Sequence, residues 1–339
     1  MPRSTASTAD APYPASAAGA AGEAARDRWI RERRGVRASV DPREPDAAFV
    51  EEERTERGDV ASVATILLAN RECPWRCLMC DLWTHTTEET VAEGAIPAQI
   101  RSGLARLPPA RRVKLYNAGS FFDPRAIPPA DDPAIAAALE PFERVIVESH
   151  PALVGGRARA LAGRLPGRLE VAMGLETVHP VVLPLLGKRM TPEDFRAAAG
   201  RLAGDGIALR AFVLLGLPFV PPEETVSWAL ESARFAFDCG ATAVAIIPTR
   251  PGNGALDALA RRGEFAPPRL AAVEDAAARG VQLGDGRGRR VFVDLWDLPR
   301  LRECAACFPA RAGRLETINL EQRVPPPVAC EACGSGGGS

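Results

Sequence analysis

From residue 62 onward, short β-rich runs alternate with helical stretches six times in succession, and no other feature restricts the fold as tightly. The runs are SVATILLAN (62–70), RVKLYN (112–117), RVIVES (144–149), LEVAMGLE (169–176), ALRAFVLLG (208–216) and TAVAIIP (242–248). Between them lie IPAQIRSGLARL, DPAIAAALEPF, PALVGGRARALAGRL, TPEDFRAAAGRLAGDG and PPEETVSWALESARFAFDCG. Several of these open on Pro or a Thr-Pro-Glu-Asp cap and close on Gly, as helices do. Most strand runs are continuously apolar, which predicts parallel strands covered on both faces. The class is α/β, a parallel barrel or part of one. No GxGxxG opens the first helix, which counts against a doubly wound dinucleotide fold. After residue 250 the regularity fades into PTRPGNGALDAL, a helix near 267–279 and one further strand, RRVFVDLWDL.

A chain of 339 residues, 46% of them hydrophobic, is long enough for one large domain with an appendage. No run of eighteen apolar residues would span a membrane. The net charge of −1 gives no global case for a polyanionic partner. Lys114 and Lys188 are the only lysines, so the arginine-rich composition reads as codon bias. The small, polar N-terminal stretch lacks the apolar core of a signal peptide, and with clustered thiols it predicts a reducing cytoplasm. The expected organisation is a disordered tail (1–25), an N-terminal helical extension (26–60), a barrel (61–255), a C-terminal extension (256–333) and a linker-like tail (334–339). RDRWIRERRGVR (26–37) carries six arginines against two acids, so it reads either as a phosphate-contacting helix or as a solvated one.

The chemistry lies in the cysteines. CPWRCLMC places Cys73, Cys77 and Cys80 in C-x3-C-x2-C spacing directly after the first strand. Disulfide frameworks use even numbers, and a structural zinc site uses four ligands. Three thiolates suit a metal centre with one position left open, such as three irons of a [4Fe–4S] cube. The loop after a barrel strand sits at the C-terminal mouth, where catalytic groups gather. The alternatives are a group of buried cysteines or a zinc site completed by His85. A second set, Cys304-x2-Cys307 and Cys330-x2-Cys333, supplies four thiolates, enough to close a tetrahedral zinc site or to hold a second [4Fe–4S] cluster. Cys239, alone on an amphipathic helix, reads as core.

CPWRCLMCDLW resembles the signature of the radical S-adenosylmethionine (SAM) enzymes, and the resemblance covers roughly residues 60–255. It implies a partial (β/α)6 TIM-like barrel in which Cys73, Cys77 and Cys80 hold a catalytic [4Fe–4S] cluster. The cofactor SAM would chelate the open iron. A one-electron reductant of flavodoxin or ferredoxin type would drive its cleavage to a 5′-deoxyadenosyl radical that takes hydrogen from a substrate. In YNAGSFFDP, the resemblance assigns Asn117, Gly119 and Ser120 to the edge that receives the SAM amino group. Glu148 would meet the ribose or the amine. In GLETVHPVVLPLLGKRMT, Glu176 would bond the cofactor and Lys188 would pair with its carboxylate, with Arg189 as the substitute one register away. Gly216 and Leu217 of LLGLP would pack the adenine.

YNAGSFFDPRAIP looks most like the archaeosine-synthase radical subunit, near the elongator-type and methylthiotransferase-type branches, which implies a nucleoside or tRNA substrate. The region 256–339 holds 12 arginines against 11 acids and offers no basic platform, which leaves a small molecule of natural-product or cofactor biosynthesis open. A non-enzymatic iron–sulfur or zinc scaffold is the reading from a different class.

Overall fold

A computed structural model describes residues 11–284 and 288–334, so residues 1–10 and 335–339 of the expected tails lie outside the described residues. One sheet holds β1 Ala47–Arg54, β2 Val60–Leu68, β3 Arg112–Asn117, β4 Arg144–Ser149, β5 Arg168–Glu176, β6 Ala208–Leu215, β7 Ala243–Pro248 and β8 Arg290–Val293, in sequential order. β1 runs antiparallel to β2, and every later neighbour is parallel. α1 Gly19–Arg31 precedes the sheet. The crossovers carry α2 Ala95–Ala105, α3 Asp132–Ala138, α4 Gly156–Ala162, α5 Val182–Leu185, α6 Pro192–Gly204, α7 Thr225–Asp238, α8 Ala255–Arg261 and α9 Leu270–Gln282. α10 Phe308–Glu321 follows the last strand. The Thr-Pro-Glu-Asp start of α6 is a capping box, with Thr191 and Asp194 satisfying each other's backbone N–H.

In a flat sheet β1 and β6 would stand five spacings apart, about 24 Å. Instead, Arg210 of β6 holds both carboxylate oxygens of Glu53 on β1, at 2.6 and 2.7 Å. The sheet is therefore curled into a partial barrel, as the βα alternation predicts.

The two faces of the strands differ sharply. Val113 and Leu115, Val145 and Val147, Val171 and Met173, and Leu209 and Ala211 belong to the main core with Ile100, Ile135, Phe195 and Leu230 from the helices. The alternating partners Arg112, Lys114, Arg144, Glu170, Arg210 and Arg290 are buried outside that core. This corrects the expectation of apolar cover on both faces, because the inner face is charged. Lys114 Nζ lies 2.8 Å from both Glu51 and Glu53, and Arg210 also bonds Glu170 at 2.7 Å. Burial alone would push the Glu53 carboxyl up, but Arg210 and Lys114 outweigh it and hold Glu53 well below the usual carboxylate range. At the rim, Arg144 and Arg112 bond Glu56 at 2.5 and 2.9 Å.

The N-terminal readings also need correction. Tyr13, expected in a disordered tail, is buried, and α1 begins at Gly19. Tyr13 Oη donates to Leu185 O at 2.5 Å, and its ring stacks on Phe219. The expected helical extension contains β1. The arginines of 26–37 take a third role that neither sequence reading anticipated. Arg34 and Arg37 both bond Glu72, beside the first cysteine, at 2.6 and 2.7 Å.

Replacing Arg210 with Leu leaves Glu53 and Glu170 facing each other without their shared cation. The loss is about 3–5 kcal/mol of stability, the usual result of breaking a buried ion pair from one side. Thermal denaturation followed by circular dichroism reads it directly, and an unchanged melting temperature would show that the lumen network does not carry the sheet.

Candidate functional site

The cysteine loop leaves β2 and is anchored by the one residue among its thiols that is wholly apolar and fully buried, Leu78. Leu78 enters a satellite core with Tyr13, Trp29, Ile30, Leu256 and Phe265, which ties α1 and α8 to the loop. Backbone contacts fix the register. Leu78 N donates to Leu186 O at 2.8 Å, and Asn253 Nδ2 donates to Leu78 O at 2.8 Å and Cys80 O at 3.3 Å. Arg76 donates to Cys73 O. Gly187 has φ 71°, and a Cβ there would lie 2.6 Å from Arg76 O, so this close approach requires glycine.

Burial pushes each of the Cys73, Cys77 and Cys80 thiols up to about 12. Each also senses another thiol of the set as a like charge, whereas Lys188 pulls Cys73 and Cys77 back down. Such thiols keep their protons at neutral pH unless a metal cation takes the proton's place. Among the described residues, the four C-terminal cysteines form a group whose ligand atoms all lie within 4.8 Å of one another. His85 is turned away, its Nδ1 2.8 Å from Asp46 Oδ1.

The end of β3 lies against this loop. Gly119 has φ 142°, and a Cβ on it would stand 3.1 Å from Cys73 Cβ. The Asn117 side chain is buried with neither its oxygen nor its nitrogen hydrogen-bonded. A buried, unpartnered amide is costly, and it offers one donor and one acceptor to a polar group placed there. Ser120 is different, because its hydroxyl lies 2.8 Å from Ser149 Oγ and accepts from His150 N at 3.3 Å. It shapes the edge from behind.

Three charged groups complete the arrangement. Glu148 accepts from Asn117 N, and burial pushes its carboxyl up to about 8. The β5–β6 pairing shifts between Gly174 and Glu176, and Glu176 has φ 64°, so a bulge re-aims its carboxylate. Lys188 Nζ meets Glu176 Oε1 at 2.5 Å. Burial opposes the ammonium, but Glu176 outweighs it and holds Lys188 above the usual lysine range. Gly174 makes room, since a Cβ there would overlap both partners of this pair, at 2.1 and 2.2 Å. Arg189 is committed elsewhere, to Asp27 at 2.5 Å and Glu23 at 3.3 Å on α1, which leaves Lys188 as the cation of this register.

Gly216 and Leu217 sit at the exit of β6. Gly216 has φ 80° and abuts Pro268, and Leu217 packs with Val182, Leu186 and Leu214 in a cluster that also touches Met79 of the cysteine loop. Sequence reasoning missed Asn253, although its place just past β7 at the same mouth was a usable signal. It also missed the stack of Trp75 on His150, with centroids 3.7 Å apart and planes 9° apart. His150 is pushed down to about 4 by burial, then by Lys188. It accepts at Nδ1 from Ala152 N, so its Nε2 hydrogen points to Lys188 O, 2.9 Å away. Beside Cys73 a cleft of about 280 Å³ is bordered by Arg37, Arg71, Arg76 and Arg125, with Glu72 and Glu88.

No family model matches the chain. An uncharacterised protein of Methanocaldococcus jannaschii is 21% identical over 258 residues, 71% of each chain. Among solved structures, methylornithine synthase is 13% identical, with a TM-score of 0.47 over 90% of each chain. A radical SAM methyltransferase of Kitasatospora setae, solved with tryptophan and a SAM analogue, is 17% identical with a TM-score of 0.40 over 56% of this chain. The chain spans 36% of the length of that enzyme.

Glu148 gives a pH test of this geometry. Its folded-state pKa of about 8 lies above the unfolded carboxylate value, so between the two the folded state holds a proton that the unfolded state has released. Stability from this group is intact in acid and falls as the pH rises towards 8. Glu148→Gln keeps the acceptor for Asn117 N and removes the titration. Urea denaturation of the metal-free protein should show the variant gaining on the native protein as pH rises from about 5 to about 8.5. Parallel curves would mean that Glu148 is not buried as a neutral acid.

Proposed function

We propose that the chain is a radical SAM enzyme, and the observation that carries this reading is the meeting of the cysteine triplet with the Gly119 edge. Cys73, Cys77 and Cys80 supply three thiols, which suit three irons of a cube with one iron left open. When bound, a [4Fe–4S] cluster and SAM supply reductive cleavage of the sulfonium to a 5′-deoxyadenosyl radical that abstracts hydrogen from a substrate. The remaining work belongs to side chains. Gly119 and the unpartnered amide of Asn117 offer a close-approach polar edge to an amino acid's charged end. Glu176 and Lys188 present one charge of each sign, which suits a zwitterion, and Glu148 is held as a neutral hydrogen-bond donor. Leu217 and its cluster supply an apolar wall for a planar group.

On the substrate side, Arg37 and Arg76 of the cleft at Cys73 are paired with Glu72 and Arg125 with Asp123. Arg71 is the lining arginine with no ion pair among the described residues, placed to meet one phosphate or carboxylate of a substrate such as a nucleotide unit. Whether tRNA carries that unit is read by salt. Binding to tRNA should weaken steeply with added salt, whereas a flat response assigns the activity to a free small molecule.

Anaerobic reconstitution with iron and sulfide, followed by reduction with dithionite in the presence of SAM, should yield 5′-deoxyadenosine. Cys77→Ala should abolish this product, by more than about a thousandfold, while the circular dichroism spectrum is retained. Undiminished product from that variant would overturn the assignment.

A further inference from the structure

We infer that Cys304, Cys307, Cys330 and Cys333 hold a single tetrahedral zinc ion, and that this ion staples a helical hairpin standing in for a ninth strand at the free edge of β8. The inference is independent of the radical chemistry at the other cysteines.

The sulfur geometry selects the ion. All four sulfurs lie within 4.8 Å of one another, and Cys307 and Cys333 are 3.7 Å apart. A tetrahedral zinc with bonds of about 2.3 Å sets its sulfurs about 3.8 Å apart along every edge. An iron–sulfur cube places each thiolate on a different iron and needs them farther apart. Arg311 hydrogen-bonds the Cys307 sulfur and bonds Glu274 of α9 at 2.5 Å. It would offset part of the charge of four thiolates on one divalent ion and orient one of them.

The hairpin has little slack. Cys307 is the residue before α10, whose 14 residues span about 21 Å. Gln322, with φ 51°, turns the chain back. The return, RVPPPVA (323–329), covers about 22 Å if it is extended as its prolines favour. Arg314 Nε donates to Pro325 O at 3.1 Å and Pro326 O at 2.9 Å, lashing the return to the helix. The return therefore ends beside the start of α10, where Cys330 and Cys333 meet Cys304 and Cys307.

The far end of α10 does the work of a strand. Asn319 Oδ1 accepts from Val293 N at 2.9 Å, and its Nδ2 donates to Val293 O at 2.8 Å. Gln322 does the same for Val291, with both bonds at 2.8 Å. Two side-chain amides, one in the last turn of α10 and one at its C-cap three residues on, thus satisfy the outward backbone groups of two alternate residues on β8. Arg54 of β1 donates to Leu320 O at 3.0 Å, so the same turn reaches the other edge of the sheet. The edge would otherwise be a template for pairing with another chain.

The test measures zinc and iron per chain together with amide hydrogen exchange. Cys330→Ser with Cys333→Ser should lose one zinc and no iron. The Val291 and Val293 amides should then exchange more than about tenfold faster, while Asp294, whose amide bonds Ile246 O inside the sheet, keeps its protection. Asn319→Ala with Gln322→Ala should lose the same protection and keep the zinc. X-ray absorption at the zinc edge of the native protein needs no variant and should report four sulfurs at about 2.3 Å. Loss of iron from the serine variant, oxygen or nitrogen ligands on the zinc, or β8 amides indifferent to zinc would each overturn the proposal. A native protein with one zinc and no iron would support the staple while removing the radical reading.

Discussion

Glu53 is the point on which the barrel turns. It sits in the lumen between Arg210 of β6 and Lys114 of β3, strands that only a curled sheet can bring to one carboxylate. Each charge alone would be expensive to bury, and together they are stable only when the curvature is right. The network therefore selects a closed arrangement over a flat one. Because β1 contributes the acids, an antiparallel edge strand becomes part of the interior. The charged floor also explains why the outer face carries nearly all the hydrophobic packing.

That division decides how the functional mouth is held. The helices fasten the strands from outside, so the residues at the strand ends can be polar and spaced for chemistry. Gly119 just past β3, Glu148 on β4 and Glu176 on β5 follow one another around this rim. The cysteine loop is fixed by a separate small core built on Leu78, to which the N-terminal segment contributes Tyr13 and Trp29. Two packing units meet at the thiols, one supplying the rim and the other the loop.

Much of this was legible in the residues. The parallel strands were legible as mostly continuous apolar runs, although the apolar cover proved to lie on the outer face, and Thr191 to Asp194 read as a helix start. β1 was not, since AAFVEEER buries Glu53 and half-buries Glu51 against Lys114, so acids occupy positions where an apolar residue is the usual sign of a strand. Tyr13 was lost in a low-complexity stretch because its partners, Leu185 and Phe219, lie far along the chain. The cysteine positions were readable from spacing. Lys188 was assigned from the resemblance with Arg189 as the substitute one register away, and what residues alone could not supply is that Glu23 and Asp27 capture the arginine from another helix. The amide caps of Asn319 and Gln322 carried no local signal, for one is a residue of the last turn of α10 and the other its C-cap, and their partners lie on β8.

The two lysines of the chain, Lys114 and Lys188, are both withdrawn from solvent and locked in ion pairs, one in the lumen and one at the mouth. The outer surface consequently presents arginine as its only cationic side chain apart from histidine, and no side-chain amine. Lysine-directed modifying enzymes find no exposed ε-amine on the closed molecule. Any lysine acylation of this protein would be a record of the barrel having opened, with the position of the label telling which end gave way.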